Sequence, residues 1–149
     1  MQTLFDPAVY ADVVRRVDSI QPDARRVWGT MSVAQMLEHV ARALEMATGK
    51  KPLKQKVLGK LIGWMFRKGF VGPDPFPRGS PTAPEFVVQD EPGFAPTKER
   101  VRALLAEFHA RGEKACDGYV HGFFGSMTGA EWGITQFKHL DHHLRQFGA

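Results

Sequence analysis

Two segments of this chain open in the same way, Ser32-Val-Ala-Gln35 and Thr128-Gly-Ala-Glu131. A Ser or Thr followed three residues later by Gln or Glu is a capping box, in which each side chain satisfies a backbone N–H of the other at a helix start. Each box fixes where a helix begins and so sets the angular phase of everything behind it. Behind the first, Val33, Met36, Leu37, Val40, Leu44 and Ala47 recur at helical spacing up to Gly49. Behind the second, "EWGITQFKHLDHHLRQ" runs to Gly148 and carries Trp132, Phe137, Leu140, Leu144 and Phe147 on one sector. Two more helices are read from weaker signals. One follows Asp6 as N-cap, with Pro7 in the first helical position and Pro22 closing the segment. The other begins at Thr97 after Pro96 and repeats Val101, Leu104, Leu105 and Phe108.

Strand patterns are nearly absent, so the expectation is an all-α single domain over residues 1–149, a four-helix bundle. A chain of 149 residues, 43% hydrophobic, is long enough to bury a core without disulfide or metal. The connections are uneven, because the crossover at 49–96 between the second and third predicted helices far exceeds the usual bundle link. A link of that length lets those two helices run parallel. Its first half holds Leu53, Val57, Leu58, Leu61, Ile62 and Met65 at helical spacing and predicts an extra short helix. Its second half holds seven of the ten prolines and predicts irregular coil.

The net charge of +4 is local. Lys50, Lys51, Lys54, Lys56, Lys60, Arg67 and Lys68 lie between Gly49 and Gly72 with no acid among them, which leaves 13 basic against 16 acidic residues elsewhere. The basic 50–68 segment reads as a solvated face or as a cover in which Leu58, Ile62, Trp64, Met65 and Phe66 line an apolar pocket. It also fits an anionic membrane surface or phosphate groups. No charged-then-apolar leader opens the chain, no run reaches the ~18 apolar residues of a membrane span, and the single Cys116 excludes an intrachain disulfide. A cytoplasmic protein is expected.

Six histidines remain to be placed. At about 100° per residue, His143 falls about 60° from the centre of the last helix's apolar sector, His139 about 100° on the same flank, and His142 about 160° away. His139 and His143 therefore line one edge of the buried face, four residues apart, a spacing at which two imidazoles can converge on one ion. His142 is expected to face solvent. A catalytic metal site usually takes three protein ligands, and His39, leaning inward between Met36 and Ala43, is the third candidate. Glu38, Arg42 and Glu45 fall on the opposite side of that helix, expected to be solvated.

"SVAQMLEHV" followed late in the chain by "HLDHHLRQ" resembles the DinB-like/YfiT superfamily of metalloenzymes, whose pattern is a helix-two histidine and a terminal His-x-x-x-His-x-x-Gln. His39, His139, His143 and Gln146 stand at the matching positions. "HGFFGSMTGAEWG" further resembles a subfamily of unassigned function. The resemblance implies an up-down-down-up bundle, usually a homodimer, binding nickel or zinc through three histidines. It also implies a small-molecule substrate and either thiol-dependent S-transfer, with a low-molecular-weight thiol such as mycothiol or bacillithiol, or metal-dependent hydrolysis. The basic insert is not part of the minimal pattern.

Gln146 either orients a ligand or is a polar end-turn residue. His121 either approaches the site or orders the turn before the last helix, while Cys116, Trp132 and Phe137 read as core. Glu131 is committed to its cap, and Asp141 and Glu38 are expected to point outward. With no carboxylate placed as a general base, the chemistry tilts toward thiol transfer. The competing class is a non-enzymatic binding module that uses the basic segment for nucleic acid or an acidic surface.

Overall fold

A computed structural model describes residues 1–52 and 54–149. Five helices form: α1 (Pro7–Ser19), α2 (Val33–Ala47), α3 (Val57–Val71), α4 (Phe94–Arg111) and α5 (Gly129–Gln146). A minimal hairpin of β1 (Val120–His121) and β2 (Gly125–Ser126) precedes α5. Among the described residues no helix is long and apolar enough to cross a membrane.

Both capping boxes are present with reciprocal bonds, and Asp6 accepts from the N–H groups of Ala8 and Val9 at the start of α1. α4 starts at Phe94, three residues before the expected Thr97. Pro96 falls within its first turn, where a missing N–H has no intrahelical partner to lose. The extra helix α3 is not short: it has 15 residues, as many as α2. Leu53, part of that expectation, lies outside the described residues.

Polar contacts at the helix ends fix the directions. Ser32 before α2 bonds Glu91 before α4, and Lys50 after α2 pairs with Glu107 near the end of α4, so these two helices are parallel. Lys98, early in α4, donates to the carbonyls of Asp18 and Ile20 at the end of α1, while His109, late in α4, bonds the Leu4 carbonyl. α1 and α4 are therefore antiparallel. Leu4 meets Gly133 and Arg16 meets Asp141, which sets α1 parallel to α5. The result is up-down-down-up over α1, α2, α4 and α5. Trp132, Phe108, Leu37, Leu44, Leu105 and Leu140 are among the side chains that fill the shared interior.

The polar side of α2 is not solvated. α4 lies against it, and Arg100 reaches both Glu38 and Glu45, two turns apart, while Arg42 pairs with Glu38. Glu45 is buried. Asp141 does not point outward either: it is buried between Arg16, at 2.9 Å, and Arg145. A parallel α4 on one side and an antiparallel α5 on the other leave α2 sandwiched, and ion pairs satisfy what burial would otherwise penalise.

α3 sits on the hairpin through its glycines. Gly59 and Gly63 are buried against the Phe123 backbone, where a Cβ would meet the Phe123 carbonyl oxygen. Its last turn is held by Lys138 of α5, whose Nζ donates to the carbonyls of Gly69, Phe70 and Gly72 at 3.1, 2.8 and 2.9 Å. A buried ammonium there satisfies orphan carbonyls and complements the negative end of the helix dipole. With the glycine side inward, Leu58, Trp64, Met65 and Phe66 are exposed rather than lining a pocket, and Ile62 alone of that set is half-buried.

Gly59→Ala should destabilise the chain by about 1–3 kcal/mol through overpacking. Gly69→Ala, with open space at its Cβ position, should instead stabilise it by about 0.5–1 kcal/mol. Urea unfolding of the two variants checks the contrast.

Candidate metal centre

His39 stands two turns into α2, and His139 and His143 stand one turn apart on α5. The antiparallel packing of α2 on α5 brings the three rings together: centroids are 4.9 Å apart for His39–His139, 4.7 Å for His39–His143 and 4.8 Å for His139–His143. That is a nearly equilateral triangle. One ring nitrogen from each lies within 4.8 Å of the others. His39 and His143 are buried and His139 is half-buried.

Hydrogen bonds assign the nitrogens. His39 Nδ1 lies 2.9 Å from the Phe86 carbonyl, which can only accept, so the proton of the neutral ring is on Nδ1. His143 Nδ1 lies 2.9 Å from Gln146 Oε1, and the Gln146 amide nitrogen donates to the Trp28 carbonyl at 2.9 Å. The amide is thereby oriented with its oxygen toward His143. Both rings keep a bare Nε2 lone pair, the state of a metal-ligating imidazole whose other nitrogen is tied down.

Burial holds the rings neutral. It pushes His143 down to about 3, aided by the charge of His39 and opposed by the Gln146 bond. His139 lies well below the ordinary value, through burial first and then the neighbouring His143 and His39. His39 is lowered by burial and partly restored by its bond to Phe86. The Nε2 atoms of His39 and His139 are 2.8 Å apart. Two bare lone pairs at that range repel, so a proton or a cation must lie between them. Two nitrogens each about 2.0–2.1 Å from zinc are about 2.9 Å apart at a right angle and about 3.3 Å at the tetrahedral angle. The 2.8 Å spacing is that of an N–H bridge, and the two rings would have to part by a few tenths of an ångström to share a tetrahedral divalent ion.

Gln146 thus orients His143. Gly29 makes that possible: it is left-handed, with φ +80°, and a Cβ there would collide with the Gln146 amide nitrogen. His121 belongs to the turn. Its Nδ1 accepts from the N–H groups of Phe123 and Phe124 at 3.1 and 3.3 Å, and its ring packs between Phe70, Phe124 and Trp132. Burial lowers it to about 4. His142 is outside the three-nitrogen group but is not in solvent, its ring standing edge-on 5.0 Å from that of His143. It is half-buried, bonds the Phe76 carbonyl at 3.2 Å and packs edge-on against Trp28, which Arg78 covers from above. The crossover folds over the side of α5 expected to be bare. Cys116 is fully buried, and burial raises its thiol. The expectations missed Lys138, Gly29 and the Phe86 and Trp28 carbonyls. A lysine beside a ligand histidine on a helix's buried flank was a visible signal; the carbonyls had none.

A family model described as a protein of unknown function, DUF1569, matches residues 7–149, and the chain belongs to that family. Neither the curated proteins nor the solved structures compared with the chain include a match.

Neutral burial of His139, His143 and His121 gives a signed pH dependence. In the unfolded chain these groups take up protons near pH 6.5, and in the folded chain only well below it. Folding stability of chelator-treated protein should therefore be full above about pH 6.5 and fall as pH drops toward 4. Denaturant titrations across that range, compared with His143→Gln, should show the slope reduced in the variant.

Proposed function

We propose that the chain is a divalent-metal-dependent enzyme of the DinB-like/YfiT kind, with His39, His139 and His143 as ligands and zinc or nickel as the ion. The observation that carries this reading is the tautomer assignment: two buried rings each have Nδ1 tied to a fixed acceptor and so keep a bare Nε2, and one nitrogen of each of the three rings lies within 4.8 Å of the others. A hydrogen-bonded cluster needs one proton between two nitrogens and has no use for a third. A cation has a use for all three.

A divalent ion held by His39, His139 and His143 would supply Lewis acidity, which favours the deprotonated form of a thiol or water. The protein's part is to hold three uncharged donors in place. Gln146, braced on Trp28, fixes His143, and the Phe86 carbonyl fixes His39. The half-buried His139 marks the side from which a small molecule reaches the site.

Thiol transfer is favoured over hydrolysis, because the nearby carboxylates are committed elsewhere. Glu131 is bound by Arg67 and the Thr128 cap, Glu38 by Arg42 and Arg100, and Asp141 by Arg16 and Arg145. None is placed as a general base for water. A thiol activated by the metal needs none.

Elemental analysis of protein purified without a histidine tag should find about one equivalent of zinc or nickel per chain. His39→Ala, His139→Ala and His143→Ala should each abolish it, while His142→Ala should leave it. Gln146→Leu and Gly29→Ala, which release His143, should weaken metal affinity about 10–100-fold. Loss with His142→Ala and retention with His143→Ala would overturn the ligand set. Reconstituted protein should transfer thiols to electrophiles faster than it hydrolyses esters or amides.

A further inference from the structure

α3 is built inside out. Its inner side is Gly59, Gly63 and Phe70 against the hairpin, and its outer side is Val57, Leu58, Leu61, Trp64 and Met65, at positions i, i+1, i+4, i+7 and i+8. That is the apolar stripe of an amphipathic helix, facing away from the protein. Leu61 is 66% exposed and Trp64 72%, and the other three are each more than half exposed. Lone exposed hydrophobics need no explanation, but a contiguous set of this size marks an interaction surface.

Charge identifies the occupant. Lys54 and Lys56 lead into the helix, Lys60 flanks the stripe, and Lys68 stands at its far end, with no acid between Gly49 and Gly72. Lys54, Lys60 and Lys68 have no ion-pair partner among the described residues, whereas Lys56 and Arg67 are taken by Glu85 and Glu131. A second copy seated on the same face by two-fold symmetry would set these lysines against themselves. A surface offering apolar depth beneath a layer of negative charge suits both features, with the lysine stems lying along the apolar zone and their ammonium groups reaching up to the charge.

We propose that α3 is an interfacial anchor that seats this protein on anionic lipid surfaces, with Leu61, Trp64 and Met65 entering the acyl boundary and the lysines engaging headgroups. The proposal stands independently of the metal site. The chain carries three tryptophans. Trp132 is fully buried and Trp28 half-buried, so a change of emission on contact with lipid reports Trp64.

The test mixes the full chain with vesicles of phosphatidylcholine alone or mixed with phosphatidylglycerol. The expected result is co-sedimentation with the mixed vesicles only, with a blue shift of Trp64 emission, weakened by added salt. Leu61→Glu and Met65→Glu, both at exposed positions that leave the fold intact by circular dichroism, should each lower partitioning about tenfold or more. Lys60→Ala and Lys68→Ala should each lower it about fivefold. Three results would overturn the proposal: no binding by the wild-type chain, a stable dimer in solution that Leu61→Glu dissociates, or DNA binding that needs the lysines but is indifferent to Leu61→Glu.

Discussion

A neutral imidazole has one proton to place, and in this protein its placement decides which histidines can act. Burial keeps His39, His139 and His143 uncharged, so each ring is a donor at one nitrogen and a lone pair at the other. Phe86 and Gln146 accept from the Nδ1–H groups of His39 and His143, which leaves both Nε2 atoms as lone pairs, that of His39 2.8 Å from His139 Nε2. His121 shows the opposite outcome. Its Nδ1 is spent accepting two backbone N–H groups, so its proton is on Nε2, and it serves the turn. Both anchors for His39 and His143 depend on backbone outside α2 and α5: the Phe86 carbonyl in the crossover, and the Trp28 carbonyl that braces Gln146.

The parallel run of α2 and α4 is the topological counterpart of that arrangement. Two parallel helices cannot be joined by a short turn, so the chain must travel the length of the bundle before α4 begins. That return segment covers His39 with Phe86 and His142 with Phe76, and ties Arg42 to the Val87 carbonyl. It also explains why the polar side of α2 is interior. One flank of α2 meets α5 through His39, while the other meets α4 through Arg100, whose guanidinium spans Glu38 and Glu45. A single arginine satisfying two carboxylates two turns apart fixes the register of α4 against α2, and with it the height of everything the crossover carries.

The helices were legible because their starts are local chemistry: two capping boxes and an Asp-Pro entry are read from a few adjacent residues and formed as read. The histidine cluster was legible for a related reason, since a fixed start fixes phase, and phase put His139 and His143 on one edge of α5 and His39 on the inward side of α2. Environments set by distant segments were not legible. His142 was expected in solvent and is instead packed between His143, Trp28 and the Phe76 carbonyl, because periodicity within one helix carries no information about a coil that returns over it. The same applies to Glu38, Glu45 and Asp141, whose partners are remote in sequence. On α3 the apolar stripe was visible, but its direction was decided by Gly59 and Gly63, which let backbone approach backbone. A helix normally buries its large residues; this one buries the face that has no side chains to keep it away.

α5 joins these features mechanically. Glu131 at its start holds Arg67 of α3, and Lys138, two turns on, closes the last turn of α3 with three carbonyl bonds. The next residue is His139. A displacement of α3 therefore cannot leave the histidine face of α5 untouched unless the Lys138 bonds break, and breaking them strands a buried ammonium beside the ring of Phe76. Leaving such a charge without its acceptors is among the more costly changes available to a folded chain. The outward stripe of α3 and the three inward imidazoles are thus linked through α5 by the Lys138 bonds and the Arg67–Glu131 pair.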